Sequence, residues 1–137
     1  MLQRKKNTLE VACALLVHDG KVLLAQRDSG RYNAGLWEFP GGKLESGENA
    51  VDALKRELEE ELALSAVVPD YFCRIFHEYP TFFLNMDAFV VKVHPEQIIL
   101  KEHVASRWVR FADVWKVPLA PADVTVAQAL LESILPD

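Results

Sequence analysis

Residues 57–61 read Glu-Leu-Glu-Glu-Glu and place four carboxylates in a segment with helical character. On a helix of 3.6 residues per turn, Glu57, Glu60 and Glu61 fall within about 100° of one another. Carboxylates on one face repel each other unless a cation neutralises them, and hard oxygen ligands favour Mg²⁺ or Mn²⁺. The cluster therefore predicts a divalent-metal site, and the alternative is an acidic helix face that meets only water.

A longer spaced pattern surrounds this cluster. Gly42 is followed after five residues by Glu48, after seven more by Arg56-Glu57-Leu58, and one residue later by Glu60-Glu61. The pattern, over residues 42–64, resembles the box of the Nudix hydrolase family, and the preceding Trp-Glu-Phe-Pro-Gly-Gly of residues 37–42 resembles its MutT-like branch. Ala63 departs from the family pattern, in which a glycine closes the helix in a left-handed conformation. Ala63 therefore puts the end of the helix in question, but it does not affect the assignment of the carboxylates as metal ligands.

The resemblance implies the chemistry and the residues that perform it. The expected reaction is Mg²⁺-dependent hydrolysis of a nucleoside triphosphate to a nucleoside monophosphate and pyrophosphate, with Mn²⁺ as the alternative metal. The implied metal ligands are Glu57, Glu60, Glu61 and the Gly41 carbonyl, and Arg56 is expected to orient the glutamates. Glu102 matches a loop glutamate that binds metal or helps to activate water in relatives, and otherwise it is an ordinary surface carboxylate.

Two cations match positions that approach phosphates in MutT-like enzymes. These are Arg27, at the end of a predicted strand, and Lys43, in the glycine loop. Local cations are needed because the chain carries a net charge of −5 and must still attract a polyanionic substrate. The alternative for both residues is a place on the surface that only favours solubility.

The expected base site combines aromatic walls with one polar group. Phe39 and either Phe82 or Phe83 would enclose a flat base, and we take Phe83 as the substrate-binding residue of that pair. All three are equally compatible with the core. Asp123 stands where MutT-like enzymes place a base-reading Asn or Asp, and its alternative role is an N-cap of the last helix. An ionised Asp accepts hydrogen bonds but cannot donate one, which suits guanine or cytosine amino groups.

Several substrates remain open. The leading hypothesis is 8-oxo-dGTP or a related nucleotide, removed to sanitise the nucleotide pool and so to serve DNA repair. The segment Pro-Leu-Ala-Pro-Ala-Asp at 118–123 is most similar to relatives that act on cytidine nucleotides, so CTP or modified dCTP is the alternative. ADP-ribose and dinucleoside polyphosphates are a second alternative. A noncatalytic lesion-binding module is a different class, against which the retained glutamates argue.

Composition favours one small enzyme domain over residues 1–137. With 50% hydrophobic residues the chain can bury a core, and its acidic balance argues against binding a nucleic acid duplex or an anionic membrane. Residues 1–8 are expected to form a flexible tail, and the protein to be cytoplasmic, as a monomer or homodimer. Cys13 and Cys73 lack the close pairing of a zinc or redox motif and are interpreted as core residues.

Hydrophobic patterns predict the elements that position these residues. Asp19-Gly20 is a hairpin signal between two apolar runs, and helices are expected at about 50–63 and about 124–135. Helices that alternate with strands in this way predict an α/β protein, an α/β/α sandwich around a mixed sheet, which is also the fold that the resemblance implies. The expected strands are Val11–Val17, Lys21–Gln26, Tyr71–Phe76, Phe82–Val93 and Arg107–Phe111.

Overall fold

The computed structural model describes residues 6–27, 34–101 and 105–134. Glu102 therefore lies outside the described residues. The regular elements are β1 (Asn7–His18), β2 (Lys21–Gln26), β3 (Trp37–Glu38), β4 (Gly41–Lys43), α1 (Ala50–Leu62), β5 (Asp70–Glu78), β6 (Phe82–Lys92), β7 (Ser106–Arg110) and α2 (Pro121–Ile134), with 3-10 turns at Pro95–Gln97 and Phe111–Lys116. Within the described part of the chain, no helix is both long enough and apolar enough to cross a membrane.

The described strands form one mixed sheet in the order β3-β2-β1-β6-β5, with β4 paired to β1 and β7 paired to β2. β1 and β6 run parallel, from the pair Asn7 and Phe82 to the pair Val17 and Lys92. The remaining pairings are antiparallel. The mixed sheet predicted from the sequence is thus confirmed.

Alternation along β1 divides the core into two layers. Ala12, Ala14 and Leu16 pack with Leu54 and Leu58 of α1 on one face of the sheet. Cys13 and Leu15, which alternate with these residues along β1, lie on the other face. There they belong to the cluster that contains Val126, Ala127 and Leu130 of α2. Because successive side chains of a strand point to opposite faces, both faces of the sheet are covered, and the α/β/α sandwich is confirmed.

The boundaries of some elements differ from the expected ones. β1 begins at Asn7, earlier than the expected Val11, because Asn7 and Thr8 pair with the start of β6, so the strand overlaps the tail expected over 1–8. α2 begins at Pro121 and not near Val124, since proline at the first helical position loses no intrahelical hydrogen bond. The hairpin turn is where it was expected, with positive φ at Asp19 and Gly20.

The end of α1 resolves the question raised by Ala63. This residue adopts the left-handed conformation, with φ 56° and ψ 25°, in spite of its Cβ. Its N–H donates to the Glu59 carbonyl at 3.1 Å, and the Leu64 N–H donates to the Leu58 carbonyl at 3.2 Å. Leu64 is buried in the same apolar cluster as Leu58 and Leu62. The packing of Leu64 and these two hydrogen bonds therefore stabilise a helix end that usually requires glycine.

Replacing Ala63 by Gly is expected to stabilise the protein. Removal of the Cβ relieves the left-handed strain, which outweighs the extra entropy of an unfolded glycine, so we expect a gain of about 0.5 to 1 kcal/mol. Urea denaturation measures the free energy of unfolding. Ala129→Gly, inside α2, is the control and should lose about 1 kcal/mol. A loss of stability in Ala63→Gly would contradict this account of the helix end.

Candidate functional site

Local interactions at both ends of α1 set its orientation relative to the glycine loop. Asn49 has extended backbone geometry, and its side-chain oxygen accepts from the Asp52 N–H at 2.8 Å, which caps the helix. Leu54, Leu58 and Leu62 are buried against the sheet. A helix anchored along this stripe presents its neighbouring face, with Glu57 and Glu61, to the loop that contains β4.

The two glycines of that loop are required by close approaches. A Cβ on Gly41 would lie 2.0 Å from the carbonyl oxygen of Ala12 on β1. A Cβ on Gly42 would lie 2.4 Å from the carboxyl carbon of Glu57. The Glu57 carboxyl group thus fills the space that any larger residue at position 42 would occupy.

Arg56 joins the loop to the acidic cluster. Its Nε and Nη2 donate to the two carboxylate oxygens of Glu48 at 2.8 and 2.9 Å. Its Nη1 donates to Glu57 Oε1 at 3.0 Å, and Nη2 donates to the Lys43 carbonyl at 3.1 Å. A weaker contact of 3.4 Å joins Nη1 to Glu60 Oε2. One guanidinium therefore ties β4, the loop before α1 and the acidic face together.

The electrostatic effect of Arg56 is clearest at Glu48. The hydrogen bonds from Arg56, followed by one from the Glu45 N–H, lower the pKa of Glu48 to about 2. The hydrogen bond to Glu48 in turn raises the pKa of Arg56 further above its usual range. Glu48 is consequently an anion at neutral pH that pairs with Arg56 and accepts from the Glu45 N–H, so it fixes the loop before α1.

The three predicted metal ligands of α1 are placed differently. Glu57 and Glu61 line one pocket together with Gly41 and Gly42. Glu60 does not line it, and its side chain is 60% exposed against 16% for Glu57. The structure thus brings two of the three carboxylates together in the pocket. Glu60 lies outside the pocket and contacts Arg56.

These donors fit a hard divalent cation. Two carboxylates and a backbone carbonyl are the oxygen donors that Mg²⁺ and Mn²⁺ prefer, and Gly42 leaves room for the Glu57 carboxyl group. Among residues 6–27, 34–101 and 105–134, no group of three acidic, His or Cys side chains is already arranged to hold a metal. The position of Glu102 relative to this pocket lies outside the described residues.

The same pocket, with a volume of about 490 Å³, contains most of the predicted substrate residues. Arg27 and Lys43 line it, and Arg27 forms an ion pair with Glu38, another lining residue that the sequence analysis missed. Glu38 ends the two-residue strand β3, which is too short to show a period. The signal that could have identified it is its place in the Trp-Glu-Phe-Pro-Gly-Gly segment of residues 37–42.

The structure does not place Phe83, the expected aromatic wall, in the lining of this pocket. Phe82, Leu84 and Met86 of β6 line the pocket, so Phe83 points to the opposite face of the strand. There its ring stacks on Phe76 at 5.5 Å between centroids, with Lys6 Nζ 5.1 Å above it. Phe82 therefore takes the position considered for either residue, and Phe39 lines the pocket as expected.

Asp123 lies buried at one wall of the pocket, with 5% of its surface exposed. The Phe39 N–H donates to its Oδ1 at 2.9 Å. Burial raises the pKa of Asp123 to about 7, against a lowering by the Phe39 hydrogen bond, while nearby Glu38 raises it and Arg27 lowers it. Burial therefore favours the neutral form of Asp123 relative to the ionised form considered from the sequence.

The structure contradicts the alternative role of Asp123 as an N-cap of the last helix. α2 begins at Pro121, so Asp123 lies inside the first helical turn, and its side chain accepts from the backbone N–H of Phe39 in the loop between β3 and β4.

Cys13 is buried, as expected for a core residue, but it also lines the pocket, which the sequence did not indicate. Burial raises the pKa of its thiol well above the usual range, so it contributes a neutral surface. Cys73 is half-buried beside the core.

The raised pKa of Asp123 predicts a pH-dependent stability. The pKa of Asp123 is about 7 in the folded state and 3.8 ordinarily. Between these two pH values the folded state therefore binds more protons than the unfolded state does. The stabilisation is complete below about pH 4 and is lost as the pH rises through 7. Relative to Asp123→Asn, which keeps an acceptor for Phe39, the wild-type free energy of unfolding should fall by about 2 to 3 kcal/mol from pH 5 to pH 8.

Chemical denaturation at several pH values measures this difference. Asp52→Asn, at an exposed position of α1, controls for the loss of one carboxylate. A constant difference between wild type and Asp123→Asn over this range would show that the Asp123 proton is not held by burial.

Comparison with known proteins assigns the family. The NUDIX domain model matches residues 6–130. A CTP pyrophosphohydrolase of Escherichia coli is 38% identical over 90% of this chain and 91% of its own length, and an 8-oxo-dGTP diphosphatase of Haemophilus influenzae is 32% identical over 92% and 93%. The solution structure of the Escherichia coli ORF135 protein has a TM-score of 0.80 at 36% identity and covers 96% of each chain.

Nudix hydrolases generally use divalent metals, in keeping with the oxygen donors of the pocket. The residues of the box, the sandwich fold and these relatives agree with one another. The chain therefore belongs to the Nudix family, in its MutT-like branch, and is a hydrolase that acts on acid anhydrides.

Proposed function

We propose that the protein hydrolyses a nucleoside triphosphate to a nucleoside monophosphate and pyrophosphate with Mg²⁺, or Mn²⁺ in its place. One observation carries the proposal: the acidic residues Glu57 and Glu61 share a pocket with two cations and with a partly apolar wall that ends at Asp123. A triphosphate needs the charged part and a base needs the apolar part. The pocket volume of about 490 Å³ lies in the usual range for small ligands.

The ligands proposed for the metal are Glu57, Glu60, Glu61 and the Gly41 carbonyl. A divalent cation held by such oxygens neutralises diphosphate charge and lowers the pKa of an attacking water. Arg56 acts through Glu57, because its hydrogen bond fixes one oxygen of that carboxylate. Glu60 is the most exposed carboxylate of the set. Glu102 stays a candidate for binding metal or activating the water.

Phosphate binding is assigned to Arg27 and Lys43. Both line the pocket that contains Glu57, and a lysine acts on phosphate as a flexible point charge. The ion pair with Glu38 orients the Arg27 guanidinium at the wall of the pocket. Two cations thereby stand beside the acidic residues of the pocket, in a protein whose net charge is −5.

Base recognition is assigned to Phe39, Phe82 and Asp123. The two rings lie on the pocket wall and offer apolar faces to a planar base. Asp123 with a proton donates to a ring nitrogen or carbonyl, and without the proton it accepts from an amino group. A pKa of about 7 makes both forms available, so the group fits more than one base.

Two substrates follow from separate observations. The 38% identity to a CTP pyrophosphohydrolase favours a cytosine nucleotide, in agreement with the Pro118–Asp123 segment. The 32% identity to an 8-oxo-dGTP diphosphatase favours the oxidised guanine nucleotide, which would make the protein a sanitiser of the nucleotide pool. Both substrates give a monophosphate and pyrophosphate.

A panel of normal and modified nucleotides tests the proposal. We expect Mg²⁺-dependent release of pyrophosphate, with the highest kcat/KM for a cytosine nucleotide or for 8-oxo-dGTP, because discrimination is a difference in transition-state binding. The panel also contains ADP-ribose and dinucleoside polyphosphates. The proposal would be overturned if no triphosphate released pyrophosphate, or if ADP-ribose were hydrolysed faster than every triphosphate.

Glu57→Gln provides the site test. Loss of the charge that the cation and Arg56 both contact is expected to lower kcat by at least about tenfold, with a folded protein by circular dichroism. Glu59→Gln is the matched control, since Glu59 belongs to the same acidic run but is exposed and does not line the pocket. Equal losses in the two variants would mean that general acidity, and not this site, supports turnover. Retained nucleotide affinity with no turnover in the wild type would indicate a binding module.

A further inference from the structure

A second concavity, of about 370 Å³, lies where β2 pairs with β7 and contains an excess of positive charge. Four of its lining residues are cations: Lys21, Arg107, Arg110 and Lys116. Its lining shares no residue with the pocket of Glu57. In a chain with net charge −5, such a local excess calls for a physical reason.

The strand register places two of these cations opposite each other. Lys21 and Arg110 are directly paired across β2 and β7, and both are exposed. Like charges at directly opposed positions of an antiparallel pair destabilise the sheet. A bound anion between them would replace this repulsion by two attractions.

Nearby carboxylates do not neutralise this pair. Asp113 pairs with Lys116 at 3.2 Å. Asp19 lines a neighbouring concavity with Lys21 and Arg110, but within the described part of the chain no ion pair joins it to either residue. Arg107 lies over the Trp37 ring at 5.5 Å, which leaves its charge unneutralised.

We propose that this concavity binds a small phosphate-bearing anion, such as inorganic phosphate or pyrophosphate, at a site separate from the pocket of Glu57. The Arg110 guanidinium presents paired donors that match phosphate oxygens, and Lys21, directly opposite it across β2 and β7, adds a point charge. The small volume and the acidic balance of the chain favour such an anion over a nucleic acid strand. Exposed Trp115, with Lys116 Nζ 5.6 Å over its ring, makes a single strand the competing ligand. The proposal rests on no part of the proposed hydrolysis.

The tryptophans supply a direct readout. Trp108 lines the concavity, Trp37 lies under Arg107 and Trp115 lies under Lys116, and these are all three tryptophans of the chain. Their fluorescence should therefore respond to pyrophosphate in a metal-free buffer with a chelator. The Lys21→Ala, Arg110→Ala double variant tests the site, and the Lys55→Ala, Lys92→Ala double variant controls for the same change in net charge at exposed positions.

We expect pyrophosphate affinity to fall by about tenfold or more in the first double variant, because two charge-assisted contacts are lost, and by less than about twofold in the control. Hydrolytic kcat/KM should be unchanged in both. Inorganic phosphate, titrated in parallel, should lose affinity in the same variant. Equal pyrophosphate binding in wild type and the first double variant would overturn the proposal, since the anion would then occupy another site. Tighter binding of a single-stranded oligonucleotide, lost in the same variant, would overturn the assignment to a small anion.

Discussion

The guanidinium of Arg56 is the interaction on which the candidate active site depends. It contacts Glu48, Glu57, Glu60 and the Lys43 carbonyl, and so joins a helix, a loop and the short strand β4. Without it, the carboxylates of α1 would repel one another and the loop would lose its connection to the helix. The site is thus held by one cation of the chain before any metal or substrate binds, which is the preorganisation that catalysis requires.

A second constraint links the substrate pocket to the core. Asp123 of α2 accepts from the backbone of Phe39, which places the last helix against the segment that leads into the glycine loop. The carboxyl group reaches this position only by being buried, and burial is what raises its pKa to about 7. One contact therefore serves both the packing of α2 and the choice of hydrogen bonds that the pocket offers to a base.

Much of the fold could be predicted from sequence because its signals are local. The spacing of Leu54, Leu58 and Leu62, the Asn49 cap and the Asp19-Gly20 turn each specify their own element. The errors concern tertiary properties. A strand reverses the direction of its side chains at every residue, so choosing Phe83 over Phe82 required a register that composition does not provide.

The protonation of Asp123 similarly depends on its burial, and the position of Glu60 outside the pocket depends on which face of α1 packs on the sheet. Anomalous scattering from a crystal soaked with Mn²⁺ tests the central claim most directly. The account predicts a peak within about 2.0 to 2.3 Å of carboxylate oxygens of Glu57 and Glu61, beside Gly41. A peak that contacts neither carboxylate, or a site that stays occupied in Glu57→Gln with Glu61→Gln, would contradict it.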